Sequence, residues 1–377
     1  MIEYRKAKPE ENEACIELAN YVFSTAHNPH DFEKLLPKVY SPDVDFSSMH
    51  YIAVDEKGKL HAQVAIMPGK MNINGQVLNT GFIGTVSVHP KARGEGHMKA
   101  LMNACLTDAK KSCSLLTLSG QRQRYEYFGY TGGGREILYT INKSNVRHAL
   151  KEESADDISF DALFAFENAA EFMYKLNTSR FVYMERDIDQ MQEITKSFGQ
   201  HVIAILKNKV LSGYIIADKN GTNISEIALL DTIGIKNVMK AYMQYSDKKE
   251  IQITMPEYEM KLNTGLADFA ETCMIQSSGM YNILDFASVL EAGLALKNNT
   301  DRLTEGRFSA VFAGQPVTIN INDEGVQVER HADKNAPAID KEQAQRILLA
   351  QFGNRKEFSI PKDWFPLPLF WYSADKF

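Results

Sequence analysis

The segment IGTVSVHPKARGEGHM, residues Ile83–Met98, decides the fold that we predict for this chain. It begins with an apolar, β-branched run that predicts a strand, and it continues into a Gly-rich loop, Arg93-Gly94-Glu95-Gly96. An amphipathic helix is predicted next, because apolar residues recur at the i, i+3, i+4 spacing: Met98, Leu101, Met102, Cys105 and Ala109. Strand, Gly-rich loop and helix together predict a phosphate site, where glycines admit a close approach and the helix's first N–H groups face the anion. Arg93 adds a bidentate donor suited to a pyrophosphate.

A second motif follows this helix. The run CSLLTLSG, Cys113–Gly120, is short and apolar and predicts a buried strand. It leads through a polar stretch into Tyr125-Glu126-Tyr127-Phe128-Gly129-Tyr130.

The two motifs resemble those of the GNAT N-acetyltransferases. In that superfamily the acetyl-coenzyme A loop has Arg or Gln, two residues, Gly, one residue, and then Gly or Ala; Arg93 to Gly96 fit, and Met98 departs from the final small residue. Tyr125-x-x-Phe128-Gly129-Tyr130 resembles a more specific signature, in which the first Tyr faces the thioester sulfur. The large Met98, the chain length and the final Phe377 are similar to the enhanced intracellular survival (Eis) branch.

This resemblance implies a site and a cosubstrate. Acetyl-coenzyme A would bind at the Gly-rich loop, with strand residues offering backbone groups to its pantetheine arm: Val86, Val88, Arg93, Gly94, Glu95, Gly96, His97 and Met98. Tyr125 would be the general acid. The general base would be the α-carboxylate of Phe377, at the end of the aromatic tail DWFPLPLFWYSADKF. An ordinary α-carboxyl group has a pKa of about 3.3–3.7 and is ionised at neutral pH.

Composition limits the class of protein and the kinds of partner that we expect. The chain has 377 residues, 44% hydrophobic and 24% charged, which predicts a globular protein of two or three domains. A net charge of −6 argues against nucleic acid as the main partner. We expect no membrane span and no signal peptide, and hence a cytoplasmic protein. We also expect no metal site, because no Cys-x-x-Cys pair occurs and His27 and His30 are typical of a solvated loop.

The order of predicted elements indicates an α/β (α+β) protein with three parts. Residues 1–148 would form a GNAT catalytic domain, closed by a strand at Glu136–Asn142, with Phe23, His27 and Phe32 as candidate acceptor-pocket residues. Residues 149–279 repeat the strand and helix order without the two motifs, which suggests a second GNAT-like domain without cofactor. Residues 280–377 are similar in layout to a sterol carrier protein-like α+β domain that supplies the terminal carboxylate.

The resemblance predicts transfer of an acetyl group to a primary amine on a small molecule or a peptide, such as an aminoglycoside, a polyamine or a lysine-like acceptor. It also implies a homo-oligomer, a hexamer in the Eis branch. Two alternatives stay open at this stage. One is a non-catalytic acyl-coenzyme A sensor or lipid-binding scaffold, and the other is an acyltransferase for protein lysines or N-termini.

Overall fold

A computed structural model describes residues 1–26, 28–41 and 44–377. These residues form two compact units. Unit 1 contains residues 1–134, 279–367 and Phe377, and unit 2 contains residues 135–278 and 368–376. No helix in the described ranges is both long enough and apolar enough to cross a bilayer.

The strands in chain order are β1 (Ile2–Lys6), β2 (His50–Asp55), β3 (Leu60–Ile73), β4 (Gln76–Val88), β5 (Leu115–Leu118), β6 (Thr131–Gly133), β7 (Glu136–Asn142), β8 (Ile158–Ala162), β9 (Val182–Met184), β10 (His201–Lys207), β11 (Val210–Ala217), β12 (Asn223–Leu229), β13 (Glu250–Pro256), β14 (Thr272–Gln276), β15 (Gly279–Ile283), β16 (Gly306–Phe312), β17 (Gln315–Asn322), β18 (Gly325–Glu329) and β19 (Ala338–Ile339). The α-helices are α1 (Asn12–Ala26), α2 (Phe32–Leu35), α3 (Pro37–Tyr40), α4 (His97–Ala109), α5 (Arg122–Glu126), α6 (Lys143–His148), α7 (Ala169–Thr178), α8 (Met191–Lys196), α9 (Ile235–Ser246), α10 (Met260–Ala267), α11 (Phe286–Thr300) and α12 (Lys341–Leu349).

The main sheet of unit 1 has the strand order β1-β2-β3-β4-β5-β15-β6. Its pairs are antiparallel except β4 and β5, which run parallel. Successive side chains of a strand face opposite sides. Ile52 and Val54 accordingly lie in the core with α1, and Tyr51 and Ala53 lie in the core with α4. The sheet is therefore covered on both faces, as the predicted α/β class requires.

One predicted strand lies in a different sheet from the one expected. Glu136–Asn142 forms a strand, but it pairs with β13 and β14 in unit 2, so the prediction that it closes the N-terminal domain was wrong. The position beside β5 is taken by β15, which comes from Gly279–Ile283. A short strand pattern predicts that a segment is extended, but it does not predict which strand the segment pairs with. The predicted boundaries after residues 148 and 279 stay a prediction.

The last part of unit 1 contains a small sheet in the order β18-β17-β16-β19. Sequence patterns predict three strands at residues 307–312, 316–322 and 325–330 and two helices at residues 285–296 and 340–350, and β16, β17, β18, α11 and α12 match them within a few residues. Phe308, Ala310 and Phe312 are buried at alternate positions, as a half-buried strand requires. Phe286 of α11 stacks on Phe312 with ring centroids 5.5 Å apart, which joins the helix to this sheet.

Unit 2 has a sheet in the order β14-β7-β13-β12-β11-β10-β8, in which only β12 and β13 run parallel. A buried ion network lies beside it. Arg186 donates to both carboxylate oxygens of Asp375, at 2.8 and 2.9 Å, and to Glu226 at 2.8 Å. Arg180 also donates to Glu226, at 2.8 Å, and the hydroxyl of Tyr214 does so at 2.6 Å.

This network sets the charge state of Glu226. Burial alone raises the pKa of a carboxyl group, but the guanidiniums of Arg186 and Arg180 outweigh it and lower the pKa of Glu226 to about 2. The carboxylate is thus ionised at neutral pH and fully paired. Buried ions of this kind are costly once a partner is lost.

We expect Arg186→Met to lower the free energy of unfolding by roughly 3–5 kcal/mol, because it leaves Asp375 and part of Glu226 buried without a counter-ion. The matched control is Lys261→Met, which removes an exposed ion pair with Asp231 and should cost at most about 1 kcal/mol. Urea denaturation followed by circular dichroism measures both variants. Equal losses in the two variants would contradict the role given to the network.

Candidate active site

The site begins where β4 and β5 stop pairing. The two strands are in register from Thr80↔Leu115 to Ile83↔Leu118, and β5 ends there. Against β3, the partner of Gln63 is Ser87 and the partner of Ala65 is Gly84. Two residues of β4 therefore oppose one residue of β3, which is a β-bulge.

Thr85 lies in this bulge and has a φ of +43°. A β-branched residue rarely adopts a positive φ, and such strain persists only where the surroundings hold it. Here the Thr85 hydroxyl lies 3.1 Å from the hydroxyl of Tyr40, and Ser87 donates to the Thr85 carbonyl at 3.0 Å. A bulge bends its strand, so we expect β4 to diverge from β5 and to leave a cleft at the carboxyl edge of the sheet.

The Gly-rich loop lies at the same edge, between β4 and α4. Gly94 and Gly96 have φ values of +87° and +84°, in the region that favours glycine, and Gly96 caps α4. Positions 93 to 96 are exposed, and no atom lies within 4 Å of the place a Cβ would occupy on either glycine. The amide groups that open α4 are thus accessible from solvent, as an anion site requires.

The predicted cofactor residues divide into two sets. Arg93, Gly94, Glu95 and Gly96 form the exposed loop. The side chains of Val86, Val88 and Met98 instead pack against the core beneath α4, so any contact with a ligand would come from the backbone of β4. The imidazole of His97 is buried and points to a different set of groups, described below.

Tyr125 lies against the end of β5. It belongs to α5, and its Cε2 atom would be 2.4 Å from a Cβ on Gly120, so this ring position requires glycine there. Its ring also meets Tyr130 edge to face at 6.4 Å. Burial raises the pKa of the Tyr125 phenol. The phenol therefore keeps its proton at neutral pH and is available as an acid.

Phe377 lies against β4. A Cβ on Gly84 would be 2.8 Å from its ring and 3.2 Å from its carbonyl carbon, so the last residue packs directly on the strand. The ring is buried, and its centroid lies 6.0 Å from that of Tyr40. Its core cluster also contains Phe32 and Phe46.

The structure thus brings the two predicted proton-transfer residues to neighbouring strands. Gly84 is one residue beyond the last β4–β5 pair, and Gly120 is two residues beyond it. Phe377 covers the first glycine and Tyr125 covers the second. The two residues are 252 apart in sequence, and both lie just beyond the end of the β4–β5 pairing. Phe377 belongs to the core cluster on the α1 face of the sheet, and Tyr125 belongs to the cluster on the α4 face.

A buried polar chain behind Phe377 was missed by sequence reasoning. His50 is fully buried; its Nδ1 lies 3.1 Å from Oε1 of Gln63, and its Nε2 lies 3.2 Å from the hydroxyl of Tyr40. The Gln63 amide donates to the carbonyl of Cys15, so Oε1 is the acceptor and His50 carries its proton on Nδ1. Tyr40 then donates to Nε2 and accepts from Thr85, which connects the histidine to the bulge.

The predicted pocket residues lie in the same region. Phe23 and Phe32 meet edge to face at 5.0 Å, and both pack in or against the cluster around Phe377. His27 lies outside the described residues. Tyr40 and His50 belong to or adjoin a segment with three prolines, in which no periodic pattern marks a buried histidine.

Comparison with known family models finds a match over the N-terminal part of the chain. Residues 3–132 match the family model for the acetyltransferase (GNAT) domain. Over these residues the chain is similar to a GNAT acetyltransferase domain. No curated protein sequence matches it.

Solved structures extend the likeness beyond the GNAT domain. A probable N-acyltransferase from Enterococcus faecalis superposes with a TM-score of 0.66 at 17% identity, covering 92% of this chain and 89% of the other. A GCN5-related N-acetyltransferase from Anabaena variabilis gives 0.65 at 14%, covering 91% and 89%. Eis1 from Mycobacterium abscessus gives 0.64 at 13% and covers 100% of both chains. At these identities the likeness establishes the fold, and it does so along the whole chain.

We expect Gly84→Ala to loosen the packing of Phe377, because the new methyl group would overlap its ring and displace it. Overpacking typically costs about 1–3 kcal/mol, which corresponds to roughly fivefold to 150-fold more frequent release of the tail. The readout is the rate at which a carboxypeptidase removes Phe377 from the 377-residue protein. Gly132→Ala is the control, since its Cβ would meet no atom within 4 Å. Equal rates in both variants and the wild type would disprove the packing of Phe377 on Gly84.

A second prediction concerns His50. Burial lowers the pKa of His50 to about 4. Between about pH 6.5 and pH 4 the unfolded chain therefore binds a proton at this residue that the folded protein does not bind. Stability is therefore highest above that pH and falls towards pH 4, by roughly 3 kcal/mol from this residue. His50→Gln should lack this component, so the wild type should lose more stability than the variant between pH 7 and pH 4. Parallel losses, measured by urea denaturation at both pH values, would show that His50 is not buried neutral.

Proposed function

We propose that this protein is an acetyl-coenzyme A-dependent N-acetyltransferase of the Eis type that acetylates a primary amine. The observation that carries the proposal is that Phe377 and Tyr125 pack on glycines of neighbouring strands, just beyond the point where β4 and β5 stop pairing. One residue offers a carboxylate and the other a phenol, and amine acetylation needs a base and an acid at one place. The GNAT domain and the Eis1-like fold support this reading.

In this mechanism the chain ends at Phe377, and the α-carboxylate of that residue accepts a proton from the ammonium group of the acceptor. The neutral amine nitrogen then bonds to the thioester carbonyl carbon, and the carbon–sulfur bond breaks. Tyr125 gives its phenolic proton to the departing thiolate and is re-protonated by the second proton that the nitrogen loses as the amide forms, directly or through water, while the carboxyl group of Phe377 releases its proton to solvent. The β4 bulge supplies the cleft, and the loop fixes the cosubstrate, so that both groups act on a held thioester.

The proposed contacts with acetyl-coenzyme A follow from the loop. Arg93 and the amides around Gly94 and Gly96 would hold the pyrophosphate, because they are exposed and open α4. The β4 backbone at Val86 and Val88 would hold the pantetheine arm beside β5. Unit 2 lacks both motifs and would bind no cofactor.

Two further parts of the proposal rest on the Eis resemblance and the layout. The segment with α11, α12 and the β18-β17-β16-β19 sheet would be sterol carrier protein-like. The protein would be a homo-oligomer, with a hexamer as the expected state, which size-exclusion chromatography with light scattering measures directly.

We expect Tyr125→Phe to lower kcat by roughly a hundredfold or more with little change in affinity for acetyl-coenzyme A, because it removes the acid and keeps the ring. Tyr127→Phe is the matched control, since Tyr127 belongs to the same motif but is 63% exposed. Release of the coenzyme A thiol would be followed with aminoglycosides, polyamines and lysine peptides as acceptors, and calorimetry would give the affinity.

The outcomes of that screen separate the candidate functions. Turnover of small amines that depends on Tyr125 supports the proposal, and turnover of lysine peptides alone would make the protein a protein acyltransferase. Tight binding of acetyl-coenzyme A without turnover of any acceptor would instead support an acyl-coenzyme A sensor. Wild-type kcat in Tyr125→Phe would remove that residue from the mechanism.

A further inference from the structure

Two histidines and a glutamate meet beside the Gly-rich loop of unit 1. One imidazole nitrogen of His61, one of His97 and one carboxylate oxygen of Glu95 all lie within 4.8 Å of one another. His61 is on β3, whereas Glu95 and His97 flank Gly96 at the start of α4. Two imidazoles with one carboxylate form a ligand set that binds Zn²⁺ and leaves a fourth position open.

The His61 ring is oriented by a carboxylate outside this set. Its Nε2 lies 3.2 Å from Oδ2 of Asp55. The other oxygen of Asp55, Oδ1, accepts from the backbone N–H groups of Lys57 and Lys59 at 2.9 and 3.0 Å, so this group acts as an acceptor. Nε2 of His61 therefore carries a proton, and Nδ1 keeps the lone pair that a metal would use. A carboxylate behind a ligating histidine is the usual arrangement in metal sites.

The His97 ring has a corresponding partner. Its Nδ1 lies 2.8 Å from the hydroxyl of Tyr4, and its Nε2 lies 3.0 Å from Oε2 of Glu95. The hydroxyl of Tyr4 can donate to Nδ1, in which case Nε2 donates its proton to Glu95. If Nδ1 instead donates to Tyr4, the lone pair of Nε2 faces a carboxylate oxygen, and a positive charge must lie between the two acceptors. Either a proton or a metal ion meets that need. Two ligands of a tetrahedral Zn²⁺ lie roughly 3.3 Å apart, close to the separation observed.

We propose that His61, Glu95 and His97 bind a divalent transition-metal ion of the Zn²⁺ type. Asp55 and Tyr4 hold the two imidazoles in the ligating orientation. Because Glu95 and His97 enclose Gly96, the ion would fix the loop at the N-terminus of α4. Sequence reasoning could not find this site, since His61 is distant in sequence from the loop and the set contains no cysteine.

The test uses the full chain with its purification tag removed and its metal stripped by a chelator. Co²⁺ would be titrated as a spectroscopic probe, and Zn²⁺ binding would be measured by calorimetry. We expect one ion per chain, with the visible absorption of Co²⁺ bound to nitrogen and oxygen ligands. Glu95→Gln and His61→Gln should each weaken binding about tenfold or more, and Tyr4→Phe should weaken it by about tenfold through loss of ring orientation.

The matched control is His331→Gln. His331 and Glu329 form a surface pair at 3.2 Å with the same spacing in sequence, but outside the cluster. Its loss should leave Zn²⁺ affinity unchanged. Glu95 is half-exposed, so we expect Glu95→Gln to fold. This variant therefore tests the proposal even if His61→Gln does not fold. Absence of Zn²⁺ binding by the wild type, or an affinity that Glu95→Gln leaves unchanged, would overturn the proposal and assign a proton to the space between His97 and Glu95.

Discussion

The β-bulge at Thr85 is the constraint on which the proposed site depends. The extra residue bends β4 just beyond its last pair with β5, and the proposed cleft depends on that bend. Thr85 adopts a backbone conformation that a β-branched residue avoids, and the hydroxyl of Tyr40 lies within hydrogen-bonding distance of its own. Tyr40 is in turn held by His50 and packs against Phe377. The cleft, the buried polar chain and the last residue are therefore parts of one arrangement.

The glycines near that cleft determine which side chains can pack there. Gly84 and Gly120 lie just past the end of the β4–β5 pairing, and each is covered by a side chain that would collide with a Cβ. The Gly-rich loop uses glycine for a different reason, namely backbone conformation, because the space around Gly94 and Gly96 is open. The same residue type thus provides close packing in one place and an exposed anion-binding backbone in the other.

The sequence predicted the parts of this arrangement that are local. The Gly-rich loop, the stripe of α4 and the Tyr motif are contiguous, and their spacing indicates both structure and chemistry. The burial of the tail could also be predicted, because its aromatic residues are too apolar for solvent. The exchange of β7 for β15 could not be predicted, since strand patterns carry no information about which strands pair. Neither could the His50 chain nor the His61 cluster, whose members converge from separate strands, helices and loops and leave no periodic signal.

The central claim is that the α-carboxylate of Phe377 is the base. The most direct test is to change the position of this carboxylate. The measurement is kcat, with an accepted amine, for three folded proteins: the untagged 377-residue chain, the chain without Phe377 and the chain extended by one glycine. Deletion moves the carboxylate by roughly 3.5 Å, and extension converts it into an amide and displaces the charge. The account predicts a loss of about a hundredfold or more in both altered proteins, because a misplacement of this size disrupts proton transfer. Equal kcat values in all three would contradict it and place the base elsewhere in the GNAT domain.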